Sequence, residues 1–168
     1  MTTKEFVEKY YPFAKACEDE TGLSAVATLT QAALETGWGA HAPGNMFFGI
    51  KAGKLWTGKR QLLKTTEVLK DDKQGYRFPE VIKIVPYKNG KFLYTVRDWF
   101  RAYDSPYDSF VDRYQFFVKN TRYKDALAVR DDYNRFFEEI HEAGYATGVN
   151  YSNTLKGIAV KIIQYIPK

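Results

Sequence analysis

Residues Ala25 to Thr36 read Ala-Val-Ala-Thr-Leu-Thr-Gln-Ala-Ala-Leu-Glu-Thr, an Ala- and Leu-rich run with one ionisable side chain, Glu35, at its last turn. A helix apolar on nearly every side has no face to give to water, so other elements must enclose it. Ser24 precedes the run as an N-cap, and Leu23 is placed to act as a hydrophobic staple. The 168 residues of the chain are enough to build that enclosure. A chain of this size buries roughly two-thirds of its unfolded surface and needs no disulfide or metal to hold a core.

The flanking sequence supplies the enclosing elements. From Lys4 to Glu20, Phe6, Tyr10, Phe13, Ala14 and Cys17 recur at spacings of three and four, one apolar helical stripe. Pro12 falls inside it and predicts a kink or two short helices. From Gly37 to Gly58 glycines, Pro43 and Asn45 mark a loop. Residues 60–101 change character: Thr65 to Val68, Val81 to Val85 and Phe92 to Val96 are β-branched or aromatic, and Asn89-Gly90 is a strong hairpin signal. A small antiparallel β-lobe of two or three strands is expected there. Ser105-Pro106 then opens a helix through about Asn120. Further helices are expected at Arg122 to Val129, Asp131 to Glu142 with Gly144 as its stop, and from a cap at Ser152 to just before Pro167. The fold class is mainly α, in an α+β arrangement, with residues 1–168 as one domain and the β-lobe at about 60–101 inserted.

Charge and composition narrow the partners without choosing one. The net charge of +5 favours polyanions such as nucleic acid, anionic lipid or acidic wall polymer. No motif supports nucleic acid, and no run approaches the ~18 apolar residues of a membrane span. One cysteine, Cys17, and two histidines, His41 and His141, exclude an internal disulfide and argue against a structural zinc site. Cys17 lies on the apolar stripe as a small core residue, and His41 sits in an exposed loop. The first residues lack the apolar segment of a secretory leader. The expectation is a chain beginning after a removed leader, or export by a phage-type route. Gly44 to Gly58 lacks a phosphate-loop signature, so no cofactor and no metal are expected.

Glu35 carries the chemistry. The carboxyl end of a helix disfavours a second negative charge. Ala32, Leu34 and Trp38 desolvate the carboxyl and raise its pKa, and no cation lies within four residues. A carboxylic acid kept protonated near neutral pH suits a general acid for a glycosidic oxygen. A glutamate reaching solvent past the helix end is the alternative.

Gln31 to Gly39, followed by Gly44-Asn45-Met46-Phe47-Phe48-Gly49-Ile50-Lys51, resembles the signature of glycoside hydrolase family 73, the β-N-acetylglucosaminidases of peptidoglycan. Thr65-Thr66-Glu67, Phe100 to Ser105 and Gly144 to Thr147 are similar to further family elements, in the same order. The resemblance spans about Phe6 to Ile163. It implies a lysozyme-like helical domain whose small antiparallel β-lobe flanks a substrate groove. It makes Glu35 the proton donor, maps a second carboxylate onto Glu67, and matches Tyr145 to a tyrosine that orients the N-acetyl group or the attacking water. Asn45, Phe47, Phe48, Trp56 and Tyr151 are candidate sugar contacts, with one of Phe47 and Phe48 expected in the core. Trp38 is expected to form a structural wall.

Glu67 has three open roles: nucleophile, base, or helper to attack by the substrate's own N-acetyl group. Carboxyl separations of roughly 5–5.5 Å or 6.5–9.5 Å distinguish the first two. About thirty residues intervene between the Thr-Thr-Glu strand and the Phe-Arg-Ala-Tyr strand where the family passes quickly, which makes Asp71, Asp72 and Glu80 rival second carboxylates. The implied activity is cleavage of the β-1,4 bond after N-acetylglucosamine by a monomer at the bacterial cell wall, in the periplasm or outside the cell. The alternatives are muramidase cleavage of the same glycan strands, or a non-catalytic glycan-binding or assembly module.

Overall fold

A computed structural model describes residues 1–168. The chain divides into two compact units, a helical one made of Met1–Phe48 and Asp104–Lys168, and a β unit at Gly49–Tyr103.

The helical unit holds α1 (Thr3–Thr21), α2 (Ala25–Thr36), α3 (Pro106–Lys119), α4 (Lys124–Ala128), α5 (Tyr133–Glu142) and α6 (Tyr151–Ile162). As its composition demands, α2 separates two apolar clusters. Ala25, Leu29, Ala32 and Ala33 pack on one side with Phe6, Tyr10, Phe47 and Phe110. Ala27 packs on the other with Phe117, Phe136, Phe137 and Leu155. Caps account for most boundaries. Ser24 Oγ accepts from the Ala27 amide, Asp132 accepts from the amides of Asn134 and Arg135, and Ser105 with Asp108 forms a capping box ahead of Pro106.

Two expectations are corrected. The first segment is not two short helices but a single helix running through Pro12. A proline in a helix interior costs about 3 kcal/mol. Phe6, Val7 and Tyr10 before it and Ala14 and Cys17 after it are buried together, and each large apolar side chain so buried returns about 1.5–3 kcal/mol. Ser152 does not cap α6. Asn150 precedes the helix, with no side-chain cap, and the Ser152 hydroxyl instead lies 3.1 Å from Nδ1 of His141 on α5.

The β unit is a three-stranded antiparallel sheet of β1 (Arg60–Leu69), β2 (Glu80–Pro86) and β3 (Phe92–Arg101), with β3 in the centre. β1 alternates exposed and half-buried residues along its whole length, the period-two signature of a strand with one covered face. The Thr-Thr-Glu strand β1 pairs directly with β3. The intervening residues form β2, which adds to the opposite edge of β3 through a turn at Lys88–Gly90. Beyond β2 that edge is continued by residues 50–52, where the Ala52 amide donates to the Trp99 carbonyl at 2.9 Å and the Arg101 amide to that of Ile50 at 3.0 Å. The turn before β2 is fastened from below: the buried Tyr94 hydroxyl donates to the Asp71 carbonyl at 2.8 Å and accepts from the Gln74 amide at 3.1 Å. No helix is long and apolar enough to cross a membrane.

Candidate active site

In the helical unit the site grows from the end of α2. Gly37 takes the left-handed conformation at the C-cap and its amide donates to Ala33. The Trp38 amide donates to the same carbonyl at 2.8 Å. Thr36 Oγ1 donates to the Ala32 carbonyl at 2.6 Å and accepts from the Gly39 amide at 2.8 Å. The last turn is therefore satisfied from within, and Glu35 at that turn is an exposed residue. Desolvation raises the Glu35 pKa above the ordinary glutamate value, and the Arg113 guanidinium opposes that rise.

Arg113 was not among the residues singled out from the sequence. It is fully buried, and no carboxylate pairs with it. It donates to Gln31 Oε1 and, through Nη2, to Thr28 Oγ1 at 3.1 Å, while its Nε has no partner. The guanidinium lies 4.5 Å from the Phe48 ring centroid and 5.2 Å from that of Phe117. Burial disfavours its charge, and Tyr145, Cys17, Tyr151 and Glu35 act in its favour. The detectable signal was its place in the apolar stripe Phe110, Arg113, Phe117 of α3, at i, i+3 and i+7. An arginine only donates, so it fixes the Gln31 amide and leaves Nε2 to donate to the Tyr151 hydroxyl at 3.1 Å.

Tyr145 and Tyr151 stack with ring centroids 5.9 Å apart. Burial holds the Tyr145 phenol well above its ordinary pKa and pushes that of Tyr151 up to about 12. Both hydroxyls keep their protons at neutral pH, so each can donate a hydrogen bond and neither is a base. The Glu35 charge enters the electrostatics of both rings. Glu35, Gln31, Arg113, Tyr145 and Tyr151 thus form one electrostatically linked group, with Phe48 against it. Arg113→Met removes the one cation opposing desolvation, and the Glu35 pKa is expected to rise further, measured by NMR titration of its side-chain carboxyl. An unmoved or lower pKa would show that the guanidinium field does not reach it.

The remaining sequence candidates lie elsewhere. Phe47 is the core member of its pair, 2% exposed, and packs edge-on to Tyr10 and Phe110. Asn45 and Phe47 border an open cleft of about 640 Å³ with Lys9 and His41, whose lining does not include Glu35. Trp38 meets Phe6 edge-on at 5.6 Å.

In the β unit, strand register assembles a second constellation. Leu63, Thr65 and Glu67 of β1 stand opposite Asp98, Val96 and Tyr94 of β3, and Lys51 bridges to Phe100. Directly paired residues share a face, so Glu67, Asp98 and Lys51 converge. Lys51 forms ion pairs with Glu67 and, at 2.9 Å, with Asp98. Desolvation works against the ammonium, but these carboxylates outweigh it and hold the Lys51 pKa above its ordinary value. Of the rivals to Glu67, Glu80 pairs with Arg97 at 3.2 Å, and Asp71 accepts from the Lys73 amide in the turn. Asp72 is exposed. Asp98 was missed; the register that sets it beside Glu67 is a tertiary property. Trp56 is held by its Nε1 donating to the Lys59 carbonyl at 2.9 Å and by Arg101 at 4.3 Å over its ring. A Cβ at residue 58 would collide with that ring, which explains Gly58.

Known proteins are similar to this chain in sequence and architecture. The chain is 32% identical over 165 residues to the peptidoglycan hydrolase FlgJ of Vibrio parahaemolyticus, covering 95% of this chain and 47% of that protein. It is 32% identical over 168 residues to FlgJ of Pseudomonas aeruginosa, covering 96% and 37%. The chain therefore spans less than half the length of these curated relatives. Among solved structures, a C-terminally truncated glycoside hydrolase domain of Salmonella typhimurium FlgJ superposes with a TM-score of 0.71 at 26% identity, over 97% of this chain and 99% of that one. The family model for glucosaminidase, described as mannosyl-glycoprotein endo-beta-N-acetylglucosaminidase, matches residues 11–164. With that match across nearly its whole length, the chain belongs to the glucosaminidase family, glycoside hydrolase family 73.

Proposed function

We propose that this chain hydrolyses the β-1,4 bond on the reducing side of N-acetylglucosamine in bacterial cell-wall glycan. The observation that carries the reading is the Glu35 carboxyl, held above the ordinary glutamate pKa at the end of the enclosed helix α2 in a member of a glucosaminidase family. A glutamic acid that retains its proton can give it to the departing glycosidic oxygen. Glu67, an ion-paired carboxylate on Lys51, is assigned the second acidic role, stabilising the positive charge that develops at the anomeric carbon. Tyr145 keeps its phenolic proton, which suits donation to the substrate's N-acetyl oxygen or to the incoming water. Water then adds its hydroxyl to the anomeric carbon and its proton restores the acid. Peptidoglycan as the substrate, with action at the cell wall, is supported by the names of the FlgJ relatives.

The test is the chemistry of the new chain end. Purified peptidoglycan is digested, the products are reduced with borohydride and their termini identified by mass spectrometry. Fragments ending in N-acetylglucosaminitol are expected. Termini in N-acetylmuramitol would replace this reading with muramidase cleavage. Binding of wall without release of soluble fragments would leave only a glycan-binding module.

A further inference from the structure

The residues inserted before β2 form a cleft of their own. Together with the 51–54 loop and the ends of β1 and β3 they enclose about 580 Å³ within the β unit. Lys54, Arg60 and Arg77 line it as cations, and Tyr76, Phe78 and Trp99 line it as rings. The bordering anion, Asp98, is engaged by Lys51 at 2.9 Å, and no carboxylate pairs with Lys54, Arg60 or Arg77. The Arg60 guanidinium lies over the Trp99 ring, 4.1 Å from its centroid, a contact with the π face that uses none of its N–H donors and leaves them for an oxyanion. Arg77 is oriented by donating to Gln74 Oε1 at 2.9 Å, and Gln74 is itself tied to the buried Tyr94. Tyr76 is 84% exposed, an open apolar platform beside these charges.

We propose that this cleft binds the peptide stems of peptidoglycan, its cations taking the stem carboxylates and its rings the short apolar side chains and sugar faces beside them. The inference rests on the proposed function for its substrate. Neutral N-acetylated sugars give three unpaired cations nothing to bind, whereas each stem carries free carboxylates next to alanine methyl groups. Phosphodiester wall polymers share the anionic chemistry but offer little to a wall of aromatic rings. The inserted segment thus makes cleavage selective for stem-bearing glycan.

The test pairs the Lys54→Ala/Arg77→Ala double variant, both side chains being exposed, with two substrates. One is intact peptidoglycan and the other is the same glycan stripped of its stems by an amidase, with the lactyl carboxylates so exposed capped as amides. On intact material KM is expected to rise about tenfold with kcat unchanged, the loss of two charge-assisted contacts, and on stripped glycan nothing should change. A soluble L-Ala-γ-D-Glu-L-Lys tripeptide should saturably alter the tryptophan fluorescence of the wild-type protein and not that of the variant. Equal losses on both glycans, no loss on the intact one, no response to the tripeptide, or stronger binding of glycerol-phosphate oligomers would each overturn the proposal. If the wild type cleaves neither glycan, the proposed hydrolase activity falls, and the tripeptide titration still decides the cleft.

Discussion

Glu35→Gln is expected to lower the rate of peptidoglycan cleavage by about a thousandfold or more, the contribution of a positioned general acid, while the protein stays folded. The amide matches the carboxyl in shape but holds no transferable acidic proton. Because Glu35 is an exposed residue with no hydrogen-bond partner to lose, its replacement leaves no buried group stranded. The pH dependence has a definite sign. The acid works only when protonated, so activity falls as pH rises through its pKa. Desolvation has raised that pKa, so the falling limb lies above the ~4.3 of an ordinary glutamate. Linkage runs the same way. A raised carboxyl pKa favours the folded state where the proton is bound, a benefit lost as pH climbs from the unfolded to the folded pKa. Glu35→Gln has no such loss and should be at least as stable as the wild type at neutral pH. Wild-type turnover by this variant, measured by release of reducing ends, would end the assignment.

Phe117→Ala is expected to cost about 3–5 kcal/mol of stability, the range for emptying a fully buried aromatic site. Phe117 is completely buried and meets Tyr123 at 5.1 Å, Phe136 at 5.4 Å and Tyr145 at 5.7 Å between ring centroids. The Arg113 guanidinium lies 5.2 Å from its ring. The cavity would therefore open beneath two members of the Glu35 group at once, and activity should fall further than the unfolded fraction explains. Phe117→Leu, which keeps most of the volume, should recover most of the stability. Denaturant unfolding monitored by circular dichroism checks both variants. A loss under 1 kcal/mol for Phe117→Ala would mean the aromatic cluster collapses freely around the gap.

Much of the helical framework was legible because short-range rules govern it. The apolar run of α2, Ser24 and Ser105 as caps and Asn89-Gly90 as a turn are each decided by residues within a few positions. The misread sites are those where distant packing outweighed a local rule. Pro12 stays inside α1 because buried side chains on both sides of it belong to one core. Ser152 serves His141 on α5 rather than its own helix.

The candidate site divides along the same line. Glu35 was identifiable from its helix end and apolar neighbours, and the direction of its pKa shift follows from them. The absence of a cation within four residues was true of the chain but not of the folded molecule. Arg113, seventy-eight positions away in the numbering, reaches the group through the packing of α3. Likewise, the alternation that gave Glu67 its face says nothing of the strand opposite, and only the β1–β3 register brings Asp98 and Lys51 to it. Local sequence determined which elements form and which residue is the candidate acid. Tertiary structure alone decided which charges surround that acid and its proposed partner, because Coulomb interactions depend on separation in space and the chain order does not set that separation.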